Sequence, residues 1–126
     1  MKEVISTKLA PAAIGPYSQA IAAGGMVFTS GQIPLSPETG LVVGDDVSAQ
    51  AVQALDNLKA VLAGAGCDLD DVVKTTVFIT DMSQFALVNE IYAKYFTEKA
   101  PARSCVEVSK LPKGCLVEIE AIAVRK

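Results

Sequence analysis

The stretch Val72-Val73-Lys74-Thr75-Thr76-Val77-Phe78-Ile79-Thr80 lies between two helical patterns and sets how the chain is read. β-Branched residues crowd it, and such residues fit a pleated, packed surface, so it is a strand. Upstream, Val47, Ala51, Leu55, Leu58 and Leu62 recur at helical spacing over 46–62, and Gly64 and Gly66 end that helix. Downstream, Asp81 and Gln84 form a capping-box-like start to a second helix over 82–96. Its apolar stripe is Phe85, Val88, Tyr92 and Tyr95 or Phe96.

Outside this centre the chain is extended. Residues 4–6 form a short edge strand, and Leu9 to Tyr17, rich in Ala, Pro and Gly, is a loop. Two apolar runs, 19–23 and 26–32, flank Gly24-Gly25, the pattern of a hairpin whose turn needs positive φ at both central residues. Residues 33–45 carry Pro34, Pro37, Gly40 and Gly44 and are a loop or a minor β-ribbon. Residues 68–71 are an acidic turn, and the last two strands, 103–108 and 116–124, are joined through Pro112, Lys113 and Gly114. The order β-β-β-α-β-α-β-β predicts an α+β domain over 1–126, with a mixed sheet of about six strands and two helices on one face.

Both faces of the sheet are apolar. The central strand shows Val73, Val77 and Ile79 one way and Val72 and Phe78 the other. The last strand shows Val117, Ile119, Ala121 and Ala123 on one side and Leu116, Ile122 and Val124 on the other. Two helices cover one face, so the second is expected to pack on another subunit. Apolar residues make up 51% of the chain and charged ones only 20%, which agrees with a homo-oligomer.

The totals exclude several functions. A net charge of −3 with no Lys/Arg cluster is not the footprint of a nucleic-acid binder. No apolar run reaches a membrane span, and Met1 to Ser6 lacks the apolar core of a secretory signal. Cys67, Cys105 and Cys115 are an odd count without C-x-x-C spacing, and there is no histidine, so no metal site is expected. Free thiols point to the reducing cytoplasm.

Chemistry must therefore use arginine, carboxylates, hydroxyls and the main chain. Arg103 in Pro101-Ala102-Arg103-Ser104 stands where a proline-ended loop becomes an apolar strand. It is either an intrachain ion pair or a bidentate clamp for a small carboxylate. Glu120 has apolar neighbours on both sides; it is a solvated or interface carboxylate, or a partly buried one that exchanges protons with water. Glu118 alternates onto the same face, and the sequence does not choose between the two. Tyr17 follows a Gly-Pro turn and is a half-buried ring or a hydroxyl donor. Ser30 ends a strand beside Gly31 with no neighbouring base, which leaves it a hydrogen-bonding role. Asn89 is an amide within the second helix. The Cys105 thiol has no activating histidine, so plain burial outweighs catalysis, but its main chain can face a ligand.

Together Gly15-Pro16-Tyr17-Ser18-Gln19, Ser30-Gly31-Gln32-Ile33-Pro34, the strand 72–81, Pro101-Ala102-Arg103-Ser104 and Val117-Glu118-Ile119-Glu120-Ala121 resemble the RidA (YjgF-type) imine deaminases over nearly the whole chain. The resemblance implies a chorismate-mutase-like subunit in a homotrimer, with a central barrel and active sites between subunits. It implies hydrolysis of 2-aminoacrylate, 2-iminobutanoate and related enamines and imines to 2-oxo acids and ammonia, without metal or cofactor. In that scheme Arg103 grips the carboxylate, Glu120 activates water and Tyr17 closes the pocket. The Cys105 main chain holds the nitrogen, while Ser30 and Asn89 brace the site. The loop before Pro101 is shorter than in many relatives, which opens the pocket rim. The alternatives are a non-catalytic carboxylate-binding module and, with less support, a ribonuclease or translation inhibitor.

Overall fold

The fold follows the expected order in a computed structural model that describes residues 1–126. Strands β1 (Glu3–Ile5), β2 (Ala20–Ala23) and β3 (Met26–Thr29) precede helix α1 (Val47–Gly64). Then come β4 (Val72–Ile79), helix α2 (Phe85–Tyr95), β5 (Ala102–Glu107) and β6 (Val117–Val124). They form one six-stranded sheet in the order β1-β2-β3-β6-β4-β5. All neighbours are antiparallel except β4 and β5, which run parallel because α2 carries the chain back across the sheet.

Local chemistry sets the turns. Gly24 and Gly25 take φ of 59° and 78°, so the β2–β3 turn has the left-handed geometry that matches strand twist. Asp46 caps α1 by accepting from the Ala49 N–H. The start of α2 departs from expectation. Asp81 accepts from both the N–H and the hydroxyl of Ser83, which winds Met82–Gln84 into a 3-10 turn. Gln84 then makes no side-chain cap, so there is no capping box.

Both helices pack on one face. Val117, Ile119, Ala121 and Ala123 of β6 meet Leu55, Leu58 and Leu62 of α1 in a single core of 24 buried residues. On β4 a bulge between Val72 and Lys74 shifts the register. It turns Val73 outward, 44% exposed, and gives the core Val72, Thr75, Val77 and Ile79 instead of the expected set. The other face carries Phe28, Val106 and Val124, each exposed, with Glu118 and Glu120 among them.

The long loop 33–45 holds only one β-bridge, Leu35 to Val42. Its start is pinned from the core. Asn57 of α1 is 1% exposed and donates to the Ile33 and Leu35 carbonyls at 3.0 and 2.9 Å, while its own oxygen accepts from Gln53 at 2.9 Å. Asn57→Leu keeps the volume but strands both carbonyls. It is expected to lower stability by about 2 kcal/mol or more, read from urea unfolding at fixed protein concentration.

Candidate active site

Arg103 opens β5, the edge strand, beside Thr75 of β4. Thr75 is fully buried and hydrogen-bonds the Tyr92 hydroxyl at 2.7 Å, so this is the helix-covered face. The guanidinium lies over the Tyr92 ring at 4.7 Å and the Phe85 ring at 5.3 Å. One N–H donates to the Asn89 side-chain oxygen at 2.8 Å. No carboxylate comes within ion-pairing distance of Arg103; the salt bridges of the chain are Arg125–Glu3 and Lys126 with Asp68 and Asp71. An oriented, half-buried cation therefore faces a cleft of about 470 Å³, lined also by Phe96, Ala100 and Pro101. Aromatic faces and a neutral amide hold it without cancelling its charge.

Cys105 follows on the same edge. The bond from the Val108 N–H to the Ile79 carbonyl sets the phase of the parallel ladder. In that phase Ser104 and Val106 bond to β4, and the N–H and C=O of Arg103 and Cys105 point to the unpaired edge. A free main-chain donor and acceptor thus stand two residues from the guanidinium. The Cys105 thiol is not activated: burial pushes its pKa up, against a smaller opposing pull from Arg103.

The other expected residues gather elsewhere. Tyr17, Ser30, Gly31, Ile33, Pro112 and Glu118 line a separate crevice of about 370 Å³. The Ser30 hydroxyl donates to the Ser18 carbonyl at 2.6 Å, which leaves its lone pairs to face the crevice. Tyr17 is 53% exposed, and its hydroxyl accepts a long 3.4 Å bond from the Ile14 N–H. The carboxylate in this crevice is Glu118, which the sequence reading set beside Glu120 without choosing. Glu120 pairs across with Thr76, one step further along β6, on the same face. The bridge between Gln32 and Ile119 draws Gly31 against Glu118, so closely that a β-carbon on Gly31 would lie 1.9 Å from a Glu118 oxygen. The signal in the sequence was Gly31 itself, a glycine at a strand end that marks close approach.

Glu118 is half-buried, and that burial raises its pKa above the ordinary glutamate value, with a further rise from Glu120. It suits a proton acceptor that gives the proton back. Strand alternation separates the two halves. Arg103 pairs with Thr75 on the helix-covered face, whereas Glu118 and Glu120 project from the opposite one. One chain brings Arg103, Asn89 and Cys105 together, and Tyr17, Ser30 and Glu118 together, but not the two groups. No cluster of His, Cys, Asp or Glu could hold a metal ion.

A carboxyl whose folded pKa is raised stabilises least when ionised: stability is full below the unfolded value and falls as pH climbs through the folded one. Glu118→Gln is therefore expected to raise the melting temperature at pH 7, with the gain vanishing below about pH 4. Melting curves across that range check it. Gly31→Ala is expected to remove the slot for Glu118 and disturb the crevice, seen as lost binding of small 2-oxo acids.

Comparison with known proteins agrees with this architecture. The family described as Endoribonuclease L-PSP matches residues 7–125. The 2-iminobutanoate/2-iminopropanoate deaminase of Salmonella typhimurium is 57% identical, with all of both chains covered. The RutC family protein PH0854 of Pyrococcus horikoshii is 56% identical, again over the whole of both. Among solved structures, E. coli TdcF with bound serine superposes with a TM-score of 0.94 at 51% identity, covering 98% of this chain and 99% of that one. Yeast Mmf1 superposes at 0.96 with 45% identity over all of both chains. With full-length identity above one half and the same subunit fold, the chain belongs to the RidA (YjgF-type) family, the one described as Endoribonuclease L-PSP.

Proposed function

We propose that this protein hydrolyses 2-imino acids, and the enamines in equilibrium with them, to 2-oxo acids and ammonia. Relatives named 2-iminobutanoate/2-iminopropanoate deaminase support the reaction class. The observation that carries it in this chain is Arg103, an oriented guanidinium with no acidic partner of its own. Such a group takes a small carboxylate through two parallel N–H···O bonds.

The active unit is a homotrimer with a central barrel, built on the sheet face that no helix covers. Exposed Phe28, Val106 and Val124 supply its apolar contacts. A complete site takes Arg103, Asn89 and Cys105 from one copy and Tyr17, Ser30 and Glu118 from a second, in the cleft between them. The unit is one domain per chain, at work in the cytoplasm, where its free thiols stay reduced. No helix is long and apolar enough to cross a membrane.

The chemistry needs no electron transfer. A protonated imine is already electrophilic at carbon. Arg103 fixes the carboxylate, and the free Cys105 carbonyl accepts from the iminium N–H. Glu118 takes a proton from water as the C–O bond forms and the C=N π pair moves to nitrogen. The resulting acid returns that proton to nitrogen, the C–N bond breaks, and the oxygen loses its proton as the carbonyl forms. Glu120 keeps the Glu118 proton affinity high, while Tyr17 covers the site and Ser30 accepts from the substrate. Holding water, carboxylate and imine carbon together removes several kcal/mol of the barrier. Cleavage of RNA fits less well: the chain has no histidine for acid–base work and a net charge of −3.

Arg103→Ala is expected to lower kcat/KM for freshly generated 2-iminobutanoate by roughly 10²–10³-fold, with the mass of three chains kept in light scattering. Arg103→Lys keeps the charge but loses the planar fork, so most of the loss remains. Glu118→Gln should abolish the rise of kcat with pH. Full activity in Arg103→Ala, or a monomer at micromolar concentration, overturns the scheme.

A further inference from the structure

Beside the reaction crevice lies a second cavity of about 390 Å³. The two share Tyr17, Gly31, Ile33 and Pro112 as a common wall. Beyond that wall the chamber is lined by Pro11, Ala12, Ile14 and Leu35. Its surface is apolar by construction, because the amides that face it are already engaged. The Gln19 side chain accepts from the Thr7 N–H at 2.7 Å and donates to the Thr7 and Pro11 carbonyls at 3.1 and 2.8 Å. Gln32 donates to the Ser30 carbonyl at 3.3 Å. No buried side-chain nitrogen or oxygen in the chain lacks a partner. The one charged liner, Lys113, is exposed. Such a chamber offers shape and dryness rather than hydrogen bonds.

The walls are held from the core. Asn57 fixes the Ile33 and Leu35 carbonyls, and Gln19 fixes the 7–11 loop. The chamber is therefore formed before a ligand arrives.

An imine carbon is trigonal. With its carboxylate on Arg103 and its nitrogen at Cys105, the third substituent leaves the reaction crevice roughly 120° from each, as sp² geometry requires. The wall without charge or free hydrogen-bonding groups is that of Ile33, Pro112 and the Tyr17 ring. We infer that the chamber behind this wall receives the aliphatic side chain of the substrate, and that the protein hydrolyses 2-imino acids with branched side chains of four carbons as well as the two-carbon one. The chamber far exceeds what an ethyl group fills. The inference rests on the deaminase reading; it adds which imines are accepted and which residues select them.

An L-amino-acid oxidase can supply both test imines, from 2-aminobutanoate and from leucine, with semicarbazide trapping what remains. The wild-type protein is expected to hydrolyse 2-imino-4-methylpentanoate with kcat/KM within about 10-fold of that for 2-iminobutanoate. Ala12→Phe fills the chamber from an exposed position outside the reaction crevice. It should lower kcat/KM for the leucine-derived imine by about 10-fold or more and for 2-iminobutanoate by less than about 2-fold. Ile14→Trp, at a position 73% exposed, is a second filling that should reproduce the split. The inference is overturned if the wild type rejects the longer imine, or if both fillings leave the ratio of the two substrates unchanged. If neither imine is hydrolysed, the deaminase reading itself fails.

Discussion

A half-buried guanidinium with no carboxylate beside it is the condition on which the rest is built. Removing a cation from water is costly, and most proteins answer with an ion pair. Here Arg103 is answered by two aromatic faces and one amide oxygen. Tyr92 performs two tasks, since its ring carries the cation and its hydroxyl ties to Thr75 inside the core. Burial raises the Tyr92 pKa, so the hydroxyl stays neutral and the ring stays anchored. The cation keeps its charge for an external anion because its supports are neutral.

Strand alternation then divides the chemistry. Adjacent residues on a strand face opposite sides, so Arg103 on β5 and Glu118 on β6 look away from each other across one sheet. No rearrangement of side chains brings them together within a chain. The face that bears Glu118 is also the one left without helices, and it is apolar. Assembly and completion of a site are thereby linked: the surface that needs covering holds half of the groups that need partners.

Much of this was legible in the sequence. The Gly24-Gly25 turn, the heptad-like stripe of α1 and the buried alternation of Val117, Ile119, Ala121 and Ala123 were read from local pattern, because each is dictated by neighbours in the chain. The bulge at Val73 was not, since it arises from the partner strand and β-branched composition is indifferent to it. The choice between Glu118 and Glu120 was also hidden. Both occupy equivalent places in an alternating strand, and only the approach of Gly31 across the Gln32–Ile119 bridge tells them apart. The 3-10 turn at Met82 likewise reflects Ser83, which competes for Asp81. The misses share one cause: each depends on a residue distant in sequence or on competition between two donors.

The outward-facing main chain of β5 has a last consequence. A sheet margin with unsatisfied amides is a template on which further extended chains can dock and grow into fibrils. Positive charge on the margin repels a second identical margin, and Arg103 is the charged residue that occupies the start of this one. The side chain that captures the ligand also acts as a gatekeeper against self-templated aggregation, so the ligand-binding cation and colloidal solubility are inherited together.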